Sequence, residues 1–363
     1  MTFLLEPSLI SSLFRNSKDL DFHPLRAEVQ QNIFSTSFQG AMHPVIEGSV
    51  YPKAFDHFSK LTLSNLTTKY SRRLLESFHS MRNSPDQRPN SLWNFVSPEI
   101  YTSSSKATFG DSFPSSTLCD FLKFDEGVSL LAAKLPTIFI RSYDSARTRL
   151  ITELVQWTAA DKQCEHIPTG VSQVVAEVVQ TMQHSDLEPF DIGAQLLSLL
   201  WATQANTMWI SFWFLAYILQ DPDYARRLRE EIDDALSTRF GNSIEAFVEA
   251  DPNTLFSDGF ILLESGFRET IRLSSGIIIA RQVTKDITLH NRGGNPTQLL
   301  EGDTVVITPR NLHMSEEVFE DPRTFQIDRF AADNGKFLSH YAFDGGHVSY
   351  DLLAWGGGRH IVC

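Results

Sequence analysis

Cys363 closes the sequence behind Trp355-Gly356-Gly357-Gly358-Arg359-His360, and a thiol beside a glycine turn can act as a nucleophile or, as thiolate, as a metal ligand. The other cysteines, Cys119 and Cys164, lie far from it and from each other, so the three thiols form neither a disulfide framework nor a CxxC-type zinc site. A phosphate cradle is excluded as well, because no lysine followed by serine or threonine ends the glycine run. A second group is charged. Glu269 and Arg272 stand three apart, on one face of any helix, and on a surface such a pair contributes only about 0.2–0.5 kcal/mol. Its weight comes from company, since Phe325-Gln326-Ile327-Asp328-Arg329-Phe330 and then the glycine-cysteine loop follow it in order. The third group, Thr203-Gln204-Ala205-Asn206-Thr207, sets four polar side chains in the middle of residues 192–219, a run without a single charge.

At about 1.5 Å per residue that run makes a helix on the order of 40 Å long, enough to cross a bilayer or a large core. Its polar centre suits a helix passing an internal pocket better than a lipid-facing span, so a buried core helix is the favoured reading. Gln204 and Asn206 then need hydrogen-bonding partners, which a cofactor, water or substrate would supply. Helical signals dominate the neighbourhood. Asp221-Pro222-Asp223 is a cap with proline in the first turn, and Leu228, Ile232 and Leu236 recur at fourfold spacing. Residues 258–273 read as another helix, with Leu263, Phe267 and Ile271 on one face and Gly276 beyond its end. Residues 277–282, 287–289 and 304–307 read as short strands, the last reached through Glu301-Gly302-Asp303. Clusters of proline, serine and asparagine at 83–97 and 112–116 read as loops.

With no internal repeat, low-complexity tract or long linker, the expectation is one domain over residues 1–363, mainly α with a small β region. That length buries a substantial core. The 31 Lys and Arg against 44 Asp and Glu, a formal charge of −13, argue against a nucleic-acid binder, and the cysteine usage points to a reducing compartment. Glu6 and Pro7 interrupt the first apolar stretch, so it reads as neither signal peptide nor anchor.

The ordered set ETIR, FQIDRF and WGGGRHIVC, preceded by a long helix carrying WATQANT, resembles the cytochrome P450 family of haem-thiolate monooxygenases over most of the chain. WATQANT is further similar to the branch that holds bile-acid-forming sterol hydroxylases, prostacyclin synthase and related fungal enzymes. The resemblance implies a cytochrome P450 fold, haem b as cofactor and Cys363 as axial ligand to the iron. A thiolate ligand pushes electron density toward bound dioxygen and favours O–O cleavage. Gly356, Gly357 and Gly358 let the backbone come close to the porphyrin, and backbone N–H groups at a helix N-terminus keep such a sulfur deprotonated. Trp355, Gly358 and Arg359 are implied beside the cofactor, with Arg281 and His360 on its propionates. Glu269, Arg272 and Arg329 are implied as a buried charge triad that fixes the cysteine loop.

The implied activity inserts one oxygen atom from O2 into an apolar small molecule, a sterol, terpenoid, fatty acid or polyketide of the kind met in fungal secondary metabolism. Electrons come from NADPH through NADPH-cytochrome P450 reductase, and the full-length form is expected at the cytoplasmic face of the endoplasmic reticulum membrane. Two alternatives stand beside it: a haem-thiolate isomerase or dehydratase acting on a peroxide, and a non-catalytic truncated fragment. Where the family's oxygen-activating helix carries an acid followed by threonine, Ala205 and Asn206 stand here. An amide orders water by hydrogen bonding, so proton delivery is expected through solvent or Thr207.

Cys363 falls one position later than the family's FxxGxxxC spacing, with Val362 where the ligand belongs. One extra residue displaces the sulfur by up to about 3.8 Å. The N-terminal anchor and the segment after the cysteine loop are not in the sequence, so truncation at both ends is expected; the final Val-Cys is what GTATGT, a common fungal splice-donor sequence, encodes. Arg281 is open between a propionate partner and a solvated strand residue. His313 is expected to pack or cap rather than bind metal.

Overall fold

The computed structural model describes residues 2–4, 9–10, 13–14, 16–58, 61–83, 89–159, 170–251, 259–276, 278–291, 294–332 and 352–353. Trp355, Gly358, Arg359, His360 and Cys363 lie outside them. The strands are β1 (Thr2–Leu4), β2 (Leu20–Asp21), β3 (Ile279–Val283), β4 (Ile287–His290), β5 (Pro296–Leu299) and β6 (Thr304–Ile307). The helices begin with α1 (His23–Phe34), α2 (Phe38–Ala41), α3 (Tyr51–Phe58), α4 (Leu61–Arg82), α5 (Leu92–Phe109), α6 (Leu118–Ala132) and α7 (Thr137–Ala159). They continue with α8 (Gln173–Gln183), α9 (Pro189–Gln220), α10 (Pro222–Phe240), α11 (Ile244–Glu249), α12 (Ile261–Ser274) and α13 (Pro309–His313). Contacts gather the chain into two compact units, each built from separated segments.

The first unit, Ala27–Phe212 with Ser243–Leu255, is helical. Its part of α9 carries most of the uncharged run, and Leu196, Leu197, Leu200 and Met208 are fully buried along it, as a helix apolar on most sides requires. Among the described residues no helix is long and apolar enough to cross a membrane. Polar side chains fix the ends of these helices. Arg147 of α7 donates to the carbonyls of Asn32 (2.7 Å) and Ile33 (3.1 Å), which α1 leaves unpaired at its C-terminus. Asp191, in the first turn of α9, accepts from both the backbone N–H and the hydroxyl of Ser37 at 2.7 Å, just where α2 begins. Trp201 and Trp209 each donate an indole N–H to Asp125 of α6, at 2.8 and 3.0 Å.

The expected loop at 83–97 ends sooner than its composition suggests. Ser91 accepts from the N–H of Asn94 at 3.1 Å and starts α5 at Leu92, so a serine in a loop-like cluster is an N-cap. Close helix packing in this unit depends on Gly193, where an added Cβ would lie 2.9 Å from the carbonyl oxygen of Ile151 and 2.7 Å from Val155 Cγ2. Alanine gains up to about 1 kcal/mol of helix propensity over glycine, but overpacking against an immovable backbone oxygen costs about 1–3 kcal/mol. Gly193→Ala is therefore expected to lower the urea midpoint. Gly48→Ala, which meets nothing within 4 Å, is expected to leave it unchanged or raise it.

The second unit joins Met1–Arg26, Trp213–Asn242 and Phe256–Cys363. It holds a four-stranded sheet in the order β1-β6-β3-β2, with β1 parallel to β6 and the other pairs antiparallel, and a separate β4–β5 hairpin. Gly302 turns at φ +87°, a conformation open to glycine, and its N–H donates to Val283 O at 2.8 Å, so the expected Glu301-Gly302-Asp303 turn delivers β6 onto β3. Leu20, Val283, Leu289, Leu299, Val305, Ile307, Phe319 and Phe330 fill the core beneath. Helix α10 starts as expected: Asp221 accepts from Asp223 N–H at 2.9 Å, with Pro222 at the first helical position, and the helix closes on Gly241 in the left-handed conformation.

Helix α12 corrects the sequence reading in one respect. Phe267, grouped with Leu263 and Ile271 on one face, is 39 % exposed while Ile271 is buried, and Ser265, Glu269, Thr270 and Arg272 are fully buried as well. Gly266 packs against Ile327 and Phe214, the glycine admitting both. The helix buries its polar side because its partners there are charged.

Candidate functional site

Three charges of the second unit close on one another. Arg272 donates from Nε to Glu269 Oε2 at 2.7 Å and from Nη2 to Oε1 at 2.8 Å, the two-pronged geometry of a strong guanidinium–carboxylate pair. Arg329 adds a bond from Nε to Glu269 Oε1 at 2.9 Å, and the N–H of Gln326 approaches the same oxygen at 3.2 Å. All three side chains are buried. One carboxylate cannot satisfy two guanidinium groups, and the surplus donors turn to backbone carbonyls. Arg272 Nη1 reaches His313 O and Pro322 O at 2.6 Å each, while Arg329 reaches Glu320 O (2.6 Å), Thr324 O (3.1 Å) and Asp321 O (3.3 Å). Asp321 adopts φ +44°, a left-handed turn at the centre of the segment that supplies these acceptors. The Arg272 guanidinium also lies 4.8 Å over the ring of Phe319.

The segment that carries Arg329 is held from both sides. Phe330 N–H donates to the buried Ser265 hydroxyl of α12 at 2.9 Å, and Phe325 stacks on Tyr217 with centroids 4.6 Å apart. Ser265 and Tyr217 thus support the cluster, and nothing in their sequence context announces it. His313 is fully buried at the end of α13 and packs, as expected of it. Burial first, then the charges of Arg272 and Arg310, pull its imidazole down to about 3.

Burial removes one of the two readings of Arg281. Ile279, Arg281 and Val283 share the buried face of β3, and Arg281 is only 7 % exposed, so it is not a solvated strand residue. Its Nη1 donates to the carbonyl of Ala280 at 2.8 Å and its guanidinium sits over Phe22 at 5.3 Å. Among the described residues no carboxylate pairs with it, and burial lowers its pKa. A cation buried without an anion fits a group that brings its own carboxylates, as the propionates of haem do.

In the first unit the polar stretch of α9 divides. Gln204 is fully buried, its Nε2 donating to Ser104 Oγ at 3.0 Å while its Oε1 has no partner among the described residues; Ala205 is buried too. Asn206 and Thr207 are exposed, and Thr207 Oγ1 donates to Thr203 O at 3.1 Å. The expected buried amide pair is therefore one buried amide and one exposed, because 100° per residue carries Asn206 round the helix from Gln204.

The family model described as Cytochrome P450 matches residues 49–361, and the chain belongs to that family. It is 32 % identical over 221 residues to a 25-hydroxycholesterol 7-alpha-hydroxylase of Rattus norvegicus, covering 60 % of this chain and 51 % of that protein. A cholesterol 7-alpha-monooxygenase of Cricetulus griseus is 28 % identical over 254 residues, covering 67 % and 47 %. The chain thus spans about half the length of these relatives. A solved structure titled retinoic acid bound cyanobacterial CYP120A1 matches 96 % of the chain and 74 % of its own, with a TM-score of 0.69 at 16 % identity, a likeness of fold.

Proposed function

We propose that the protein to which this chain belongs is a haem-thiolate monooxygenase that hydroxylates an apolar small molecule of sterol size. The observation that carries the reading is the buried Arg281 cation, unpaired among the described residues, in the same unit as the closed Glu269–Arg272–Arg329 cluster. When bound, haem supplies the activation of dioxygen. The chain's own residues would hold it: Arg281 and His360 would pair with its propionates, Arg359, Gly358 and Trp355 would line its site, and Cys363 would supply the thiolate. Asn206 orders water by its amide, and Thr207 or solvent moves the proton, with Ala205 at the position where the family carries an acid. The names of the relatives, sterol hydroxylases both, support the sterol class. NADPH-cytochrome P450 reductase at the cytoplasmic face of the endoplasmic reticulum membrane is the proposed electron source.

Ala205, where an acid is usual, and Asn206, where threonine is usual, fit equally a second reading in which a peroxide is rearranged without external electrons. One experiment separates the two. Full-length protein with reductase, NADPH, 18O2 and a panel of sterols is expected to give a product carrying one 18O atom, and none without NADPH. A product formed from a lipid peroxide with no NADPH, and no label from 18O2, would replace the first reading by the second.

A further inference from the structure

His313 is fully buried, and its ring takes no part in the bonds within the Glu269–Arg272–Arg329 cluster. Its carbonyl accepts from Arg272 Nη1 at 2.6 Å, which joins it to the charge cluster. Its Nε2 accepts from the N–H of Leu353 at 3.1 Å, which joins it to a segment ten residues before Cys363. Its Nδ1 is buried and has no partner among the described residues. A ring nitrogen that accepts carries no proton, so the one proton of the neutral imidazole sits on Nδ1. The other tautomer would aim Nε2–H at an amide N–H, and a second proton is opposed by burial and by two neighbouring arginines. A buried donor without an acceptor is unfavourable, and leucine or phenylalanine would fill this place without one. The ring is therefore kept for the acceptor on its other side.

We propose that His313 is a positioning residue whose unprotonated Nε2 anchors the backbone of Leu353 to the Glu269–Arg272–Arg329 cluster and so sets where the glycine-cysteine loop begins. Three consecutive glycines carry no side chains to fix that loop and have the most backbone freedom to lose, so its register has to be imposed from its ends. A ligand to a metal needs placement within about 0.5 Å, which a wandering end does not allow. The consequence for the sulfur rests on the haem-thiolate reading; the anchoring does not.

Hydrogen exchange on the full haem-free chain tests the anchor. In H313L the Leu353 amide is expected to exchange at least about tenfold faster while the α12 amides keep their protection, since one hydrogen bond is lost and the cluster is not. H313Q offers an oxygen near the position of Nε2 and is expected to restore most of the protection. In wild type labelled with 15N-histidine, His313 is expected as the Nδ1–H tautomer, a readout that holds even if H313L does not fold. After loading with haemin, the ferrous carbon monoxide spectrum of H313L is expected to move from the thiolate form toward the thiol form, with recovery in H313Q. An Nε2–H tautomer in wild type would overturn the proposal. So would unchanged Leu353 exchange in H313L, or equal loss of protection throughout α12. Expected exchange and tautomer without a thiolate band in wild type would leave the anchor standing and remove the haem-thiolate reading instead.

Discussion

The Glu269→Ala chain is expected to lose about 3–5 kcal/mol of stability, more than a hundredfold in its folded-to-unfolded ratio. The carboxylate is the sole anion between Arg272 and Arg329 in the described cluster, with bonds of 2.7, 2.8 and 2.9 Å to their guanidinium groups. Without it two like charges face each other where water does not screen them, and the five backbone carbonyls that accept from them supply dipoles but no countercharge. Glu269→Gln keeps the shape, but it lacks the charge and turns an NH2 group toward a guanidinium, so it is expected to fail nearly as badly. The comparison that isolates burial is Arg72–Glu249, also two-pronged at 2.9 and 2.7 Å but exposed. Glu249→Ala is expected to cost less than about 1 kcal/mol. Urea midpoints at constant m-value measure all three, and an E269A midpoint no lower than that of E249A would contradict the account.

Arg281→Leu is expected to act in opposite directions on the haem-free chain and on haem binding. In the haem-free chain the guanidinium is a buried cation held by its neighbour's carbonyl and an aromatic face, between Ile279 and Val283 on the same side of β3. Leucine suits that face, so the haem-free chain should melt at the same temperature or higher. With haem the order reverses. Removing one partner of a buried charge pair costs about 2–5 kcal/mol, so affinity for haemin is expected to fall by about thirtyfold to several-thousandfold. Arg281→Lys keeps the charge but not the planar fork and should lie between. A haemin titration beside a thermal melt reads both effects; equal haemin affinity in wild type and R281L would remove Arg281 from the cofactor site.

The charge cluster was legible because its members come in a fixed order along the chain, although no single member is distinctive. The sequence placed Arg281 in a strand but did not say whether its face is covered; in the fold it lies opposite the buried Val305 of β6. Phe267 misled for a related reason. Apolar spacing names the buried side of a helix only where its partners are apolar, and α12 meets Arg329, Gln326 N–H and Phe330 N–H beside the apolar Ile327 and Phe214. Five adjacent residues, 203–207, read as one polar patch in sequence, and helical geometry divides them. His313 gave no signal, because the amide it holds is forty residues away in sequence.

The most direct test of the haem-thiolate claim is the ferrous carbon monoxide spectrum of the full-length protein loaded with haemin under reducing conditions. The account predicts the long-wavelength Soret band of a thiolate-ligated haem, lost when the loop cysteine is replaced by serine. A short-wavelength band that survives this replacement would show ligation through another atom and contradict it.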